Sequence, residues 1–175
     1  AGGKDTTGRP TTKPIARKDT KITGGNLAVV ATLCLVVVAA ALGLRFSGLS
    51  GNLALLAVAL VMVSPALTAA GYTFLRDAEL EPYRGQSLWI RAAICAAVYC
   101  LLWAAYIPLV RLEVLSGEAW QWLFVAPIVL GLGGLAAFAS FDIEYSNGVF
   151  HTVFFFLVTL LLRWLSGLPP VWNTA

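Results

Sequence analysis

Charged residues are scarce in this chain of 175 residues. Only 12% of the residues are Asp, Glu, Lys or Arg, while 59% are hydrophobic, and the mean hydropathy is +0.81. This composition lies well outside the range of soluble domains. It therefore indicates an integral membrane protein, and we expect no nucleic acid among its partners.

Catalytic and metal-binding motifs are also lacking. His151 is the only histidine, so the chain cannot form an H-E-x-x-H zinc site. It has no Ser/His/Asp set, no glycine-rich phosphate loop and no CxxC pair. Cys34, Cys95 and Cys100 are all expected inside the membrane, and the last two lie about 140° apart around a helix. A non-catalytic protein is favoured, and no cofactor is indicated, although a bound lipid or pigment would leave no motif.

Charge is absent from the middle of five long apolar runs, residues 27–44, 53–75, 91–111, 119–141 and 149–168. About 20 apolar residues cross the hydrocarbon as a helix, and the runs lack the alternation of a membrane strand. The sequence therefore predicts an all-α membrane protein with five transmembrane helices in one bundle, residues 26–168. A basic polar tail, residues 1–25, precedes the bundle, and a short tail, residues 169–175, follows it.

The fifth run has the shortest uninterrupted apolar part of the five. Its uninterrupted apolar part covers residues 149–162, before Arg163. A run of this length also suits a re-entrant or interfacial helix. A full crossing requires Arg163 to extend its charged end to the headgroups.

Lysine and arginine are distributed unequally between the two sides of the predicted bundle. Cytoplasmic segments carry the excess of these residues, so the amino terminus is predicted to face the cytoplasm, stroma or matrix and the carboxyl terminus the opposite side. Such a multi-pass protein fits a cell inner membrane or an energy-transducing organelle membrane. One side carries Lys4, Arg9, Lys13, Arg17, Lys18, Lys21, Arg76, Arg84 and Arg91, and the other Arg45, Arg111 and Arg163.

Small residues recur at four-residue spacing in the apolar runs. Such pairs allow helix backbones to approach closely in lipid. The favoured interpretation is packing within the bundle, and the alternative is that the segment from Gly131 to Gly134 contacts a partner's helix. The pairs are Ala39 with Gly43, Ala66 with Ala70, Ala92 with Ala96, Gly133 with Ala137, and Ala136 with Ser140.

The segment FDIEYSNGVFH, residues 141–151, combines two carboxylates with the single histidine. Asp142, Glu144 and His151 are candidate ligands of a divalent metal, because carboxylate and imidazole groups bind such ions. The favoured interpretation is a connection between two spans, in which residues 146–148 (SNG) form a turn.

The leading functional prediction is a non-catalytic subunit or assembly component of a larger membrane complex, in contact with membrane lipids and other membrane subunits. Its candidate partner-binding residues are Lys4, Arg9, Lys13, Arg17, Lys18, Lys21, Gly131 and Gly134. One alternative is an interfacial membrane enzyme or a metal-dependent protein that uses Asp142, Glu144 and His151. Another is a passive channel or small-molecule permease with few polar lining groups beyond Ser64, Thr68 and Thr73.

Overall fold

A computed structural model describes residues 24–76 and 81–171, and every regular element in these ranges is helical. The chain divides into two compact units, Ala1–Leu35 and Val36–Ala175. In the first unit, the described residues are the beginning of α1. The helices are α1 (Gly24–Ser47), α2 (Leu53–Leu75), α3 (Gly85–Ala104), α4 (Tyr106–Arg111), α5 (Trp122–Phe141, after a 3₁₀ turn at Ala119–Gln121) and α6 (Tyr145–Leu165).

Four helical segments of the described chain are long and apolar enough to cross a membrane, and a fifth, Ala31–Ser47 of α1, is shorter. The four are Leu53–Leu75, Gly85–Arg111, Ala119–Phe141 and Tyr145–Leu165. The prediction of an all-helical protein with helices long and apolar enough to span a membrane is therefore confirmed for the described residues. The orientation of these helices in the membrane stays a prediction.

The connection between α5 and α6 is shorter than the sequence suggested. Asp142 ends α5 in the left-handed conformation, with φ 51°, and Glu144 precedes the first residue of α6 in extended conformation. Residues 146–148 are therefore helical and do not form the expected turn. The fifth predicted run begins at Tyr145 instead of residue 149, and its helix of 21 residues is long enough to span.

The third predicted run has different ends as well. Its helix, α3, begins at Gly85, so that Arg91 lies inside the helix and does not mark its boundary. The helix breaks at Ala105, between α3 and α4. Pro108 explains the break, because proline has no N–H to donate to the carbonyl four residues earlier.

Most buried residues of the four long helices lie in one half of the bundle. The buried residues of α2, α3 and α5, and nearly all of those in α6, lie toward the end where α2 and α5 finish and α3 and α6 begin. We call residues 64–72, 92–99, 133–141 and 148–155 the packed half. We call the opposite stretches the open half, and Thr159 is the one buried residue in them. These stretches are residues 53–63, 100–111, 122–132 and 156–165.

Glycine allows α5 and α6 to approach closely in the packed half. A Cβ atom at position 148 would lie 2.5 Å from the carbonyl oxygen of Gly134. A Cβ atom at position 133 would overlap the side chain of Thr152. At position 148 the two backbones are thus too close for any residue larger than glycine, and at position 133 the Thr152 side chain occupies the space of a Cβ atom.

Candidate functional site

His151 lies in the second turn of α6 and is 0% exposed. Its Nε2 is 2.9 Å from the carbonyl oxygen of Thr68 in α2, and its Nδ1 is 2.7 Å from the hydroxyl oxygen of Tyr99 in α3. A carbonyl oxygen only accepts hydrogen bonds, so Nε2 carries a hydrogen. In the neutral ring Nδ1 is then an acceptor, and the Tyr99 hydroxyl donates to it.

Tyr99 and Thr152 extend this contact into a buried polar cluster, which we define as His151, Tyr99, Thr152 and Thr68. The Tyr99 hydroxyl lies 3.0 Å from Thr152 Oγ1, and Thr152 donates to the carbonyl of Gly148 at 2.9 Å. All four side chains are fully buried. The cluster therefore links α2, α3 and α6 through hydrogen bonds shielded from water.

Thr68 and a glycine complete the surroundings of the imidazole. The Thr68 hydroxyl lies 3.0 Å from the carbonyl oxygen of Ala92 in α3. A Cβ atom at Gly71 would lie 2.8 Å from two atoms of the His151 ring. Glycine at this position thus provides the space for the imidazole next to α2.

A second polar group lies at the end of the packed half, where Arg91, Tyr83 and Asp142 meet. Arg91 forms an ion pair with Asp142 Oδ2 at 3.1 Å and donates to the carbonyl of Ser140 at 2.7 Å. Its guanidinium lies 3.9 Å from the centre of the Tyr83 ring, and the Tyr83 hydroxyl donates to Asp142. We call these three residues the Asp142 clamp, which connects α3 to the end of α5.

The clamp changes the acidity of its tyrosine. The hydrogen bond to Asp142 raises the pKa of Tyr83 above its ordinary value, because the carboxylate accepts the phenolic proton. Burial and the charge of Asp142 raise this pKa further, while Arg91 lowers it. Tyr83 is therefore neutral at physiological pH and stays a donor to Asp142.

The three candidate metal ligands do not converge. Asp142 contacts Arg91 and Tyr83 at the helix ends, Glu144 is exposed, and both nitrogens of His151 bond to protein groups. Within the described ranges, no group of three or more His, Cys, Asp or Glu is placed to hold a metal ion. The metal-dependent enzyme stays a prediction without support from this geometry.

The candidate partner-binding residues fall into two sets. The basic residues from Lys4 to Lys21 lie outside the described residues. Gly134 is buried against Val149 and Tyr145 of α6, and the carbonyl of Gly131 lies 3.5 Å from the Tyr145 hydroxyl. Gly134 thus packs against α6 within the chain, and contact of this segment with a partner's helix stays a prediction.

The candidate pore residues do not line a common path. Ser64 and Thr68 are buried and donate to backbone carbonyls, and Thr73 is exposed on α2. In the described residues, no buried side-chain nitrogen or oxygen lacks a hydrogen-bond partner. The polar groups of the interior are thus used to join helices.

Tyr99 and Thr152, which complete the cluster around His151, are not among the residues predicted from the sequence. A tyrosine in the interior of an apolar run is a usable signal, because a buried phenolic hydroxyl needs a hydrogen-bond partner. Trp103 is a second aromatic donor within an apolar run, and its indole N–H donates to Thr159 at 3.1 Å. The sequence shows these donors but not the acceptors that they reach.

The open half contains two apolar cavities of about 330 Å³ each. The first lies between the second half of α1, α2 and α6, and Arg163 contributes to its lining. The second lies between α3, α4, α5 and α6 and has no charged residue in its lining. The two cavities thus have about the same volume, but only the first has a charged residue in its wall.

The long apolar helices and the shielded polar cluster are typical of one class, the helical membrane-integral proteins. The chain matches no protein-family model, and comparisons with curated proteins and with solved structures find no match either.

Proposed function

We propose that the protein is a non-catalytic, multi-pass subunit of a larger membrane assembly. The observation that carries this proposal is the uncovered small-residue pair Ala39 and Gly43 on α1. Both residues are exposed, and among the described residues no atom outside the adjacent backbone of α1 lies within 4 Å of the place where a Cβ of Gly43 would be. By contrast, Gly133 and Ala137 of α5 are buried inside the bundle.

The contrast between the exposed pair of α1 and the buried pair of α5 supports a partner contact at the α1 pair. Lipid tails are as apolar as the helices, so helices associate in membranes through close packing and hydrogen bonds. A small-residue pair left free by its own bundle therefore suits a helix of another subunit. The interior of the bundle supports a non-catalytic role, because His151 is shielded from water and fully hydrogen-bonded.

The proposal includes the tail and the orientation predicted from charge. The basic residues of segment 1–25 are suited to an acidic surface of a partner or to anionic headgroups. With the amino terminus in the cytoplasm, stroma or matrix, the Asp142 clamp faces the same side as the tail. The membrane is a cell inner membrane or that of an energy-transducing organelle. Labelling of single cysteines at Ser50 and Glu144 with an impermeant reagent tests this orientation, and labelling of both from one side contradicts it.

The assembly is tested by gentle extraction of the tagged chain from its native membrane. Native gel electrophoresis and mass spectrometry then identify the proteins that migrate with it in fixed stoichiometry. Gly43→Leu is expected to release them, because a leucine blocks close approach of a partner helix. Ala139→Leu, at an exposed alanine of α5, is the matched control and is expected to retain them.

Two outcomes contradict the proposal. One is migration of the wild-type chain alone in several mild detergents. The other is a stable complex that Gly43→Leu and replacement of the six basic tail residues by glutamine both leave intact. In that second case the partner contacts neither α1 nor the tail.

A further inference from the structure

Two arginines lie where the first apolar cavity reaches the end of α6. Arg163 contributes to the cavity lining, and the side chain of Arg45, at the end of α1, packs beside Gly167. A Cβ atom at position 167 would lie 3.1 Å from Arg45 Cγ. Both side chains thus contact the turn that follows α6, next to the cavity.

The guanidinium of Arg163 is held in place by neutral groups. Its Nε donates to the carbonyl of Pro169 at 3.0 Å, and its Cζ lies 5.8 Å from the centre of the Tyr106 ring. Among the described residues, the ion pair joins Arg91 and Asp142, at the other end of the bundle. Neither Arg45 nor Arg163 pairs with a carboxylate in the described part of the chain, so their donors suit an external anion.

The cavity itself suits a hydrocarbon chain. Its volume is about 330 Å³, roughly twice that of an apolar cavity of about 150 Å³ that binds benzene. Its wall comes mainly from Val, Leu and Ala side chains of α1, α2 and α6. An apolar cavity of this kind does not attract water, because water needs two or more polar partners there.

We propose that this cavity is a binding site for an anionic phospholipid, with an acyl chain between α1, α2 and α6 and the phosphate at Arg45 and Arg163. Arginine binds phosphate through charge-assisted hydrogen bonds, which its planar group forms in pairs. Basic pockets between membrane helices bind anionic headgroups on the matrix or cytoplasmic side, and in the predicted orientation the present pocket offers the same chemistry to the opposite leaflet. The second cavity has the same volume without a charged wall, so it shows no headgroup preference. This inference does not depend on the proposed assembly.

The test is native mass spectrometry of the full chain in micelles that contain equal amounts of phosphatidylglycerol and phosphatidylcholine with identical acyl chains. We expect the wild type to retain phosphatidylglycerol with a preference of about 30-fold, which corresponds to about 1 kcal/mol for each arginine. This measurement needs no variant. Equal retention of the two lipids overturns the proposal.

Charge variants locate the headgroup. The double variant R45Q/R163Q is expected to lose the preference, while R111Q, at the third arginine of the same end, retains it. If R111Q reduces the preference as much as the double variant, the effect is one of general surface charge and the specific site is refuted. Inorganic phosphate at millimolar concentration is expected to leave lipid retention unchanged, and efficient displacement by it argues against the acyl-chain contact.

A matched pair of substitutions tests the cavity. Ala59→Phe fills the first cavity and Ala126→Phe fills the second, and each alanine lines its cavity. Ala59→Phe is expected to reduce retained phosphatidylglycerol about tenfold, whereas Ala126→Phe leaves it unchanged. The reverse pattern, or equal loss in both variants, contradicts the assignment to the first cavity.

Discussion

The two halves of the bundle use the same four helices but pack them differently. In the packed half, small residues bring the helices close, and the cluster of His151, Tyr99, Thr152 and Thr68 joins them by hydrogen bonds. In the open half, the helices leave two apolar cavities between them. The comparison shows that apolar character alone does not pack membrane helices, because lipid competes equally well for an apolar surface.

The largest expected effect comes from adding volume to one helix in each half. Ala137 of α5 is 0% exposed in the packed half, and Ala126 of the same helix lines the second cavity. Ala137→Leu is expected to lower the free energy of unfolding by about 3 kcal/mol, whereas Ala126→Leu changes it by less than about 0.5 kcal/mol. Equilibrium unfolding in mixed micelles, followed by circular dichroism, measures both. Equal costs would remove the distinction between the halves.

The next largest effect is expected from a single methyl group between α5 and α6. Gly148→Ala places a Cβ 2.5 Å from the Gly134 carbonyl oxygen, so the backbones must separate, at a cost of about 2 kcal/mol in unfolding free energy. In the control Gly131→Ala, the nearest atom is 3.5 Å away. We expect the control to unfold like the wild type in the same titration. A tolerated Gly148→Ala would mean that α6 shifts freely along α5.

Hydrogen bonding in the packed half is tested by Tyr99→Phe. This change leaves His151 Nδ1 without its donor, so we expect a loss of about 1–2 kcal/mol in unfolding free energy. Nitrogen NMR of the histidine ring provides a second measurement, because the Nδ1 signal moves when its donor is removed. Tyr145→Phe is the control, since the Tyr145 hydroxyl makes only a 3.5 Å contact. An unchanged Nδ1 signal in Tyr99→Phe would show that the two groups are not bonded.

The smallest effect is expected at the Asp142 clamp, because its ion pair is partly exposed and exposed ion pairs contribute little. In the folded protein, the hydrogen bond to Asp142 raises the pKa of Tyr83 above that of an unfolded tyrosine. The hydrogen bond from Tyr83 to Asp142 therefore stabilises the fold at a pH below the pKa of tyrosine in the unfolded chain, which is about 10. This stabilisation is lost as the pH rises through the pKa of Tyr83 in the folded protein.

This dependence is measured with Tyr83→Phe. We expect the variant to have a lower melting temperature than the wild type at about pH 8 and the same one well above pH 10, where the wild-type tyrosine is ionised. Tyr145→Phe, which does not contact Asp142, is the control for alkaline effects on other tyrosines. A difference in melting temperature between the wild type and Tyr83→Phe that grows with pH would contradict a raised pKa of Tyr83.

Much of the fold follows from local sequence, although several helix ends do not. The runs 53–75 and 119–141 match helical segments of the structure, because an apolar run without charge has no alternative to a helix in lipid. The start of α6 differs from the predicted start because Ser146, Asn147 and Gly148 favour turns by local preference. Packing against α5 makes them helical, and no local pattern contains that information.

The candidate site was predictable only in part. The lone His151 was recognised as unusual, but its partners Tyr99 and Thr68 lie far from it along the chain. Asp142 and Glu144 were grouped with it by closeness in sequence, whereas the fold directs Asp142 to Arg91 and His151 to the interior. Hydrogen bonds between helices depend on which faces meet, and the sequence of one helix does not specify the face of another.

By itself, the sequence determined the class of the protein, since the length and apolarity of its runs require helices in a membrane. It also identified small-residue pairs as candidates for packing within the bundle, and two of these pairs, Ala92 with Ala96 and Gly133 with Ala137, are buried in the structure. Only the tertiary structure decided that the Ala39 and Gly43 pair stays uncovered and that His151 joins three helices. It also placed Arg45 beside Gly167, next to a cavity to which Arg163 contributes. The physical reason is that apolarity and length belong to each segment separately, whereas coverage, hydrogen-bond partners and cavities arise only where segments meet.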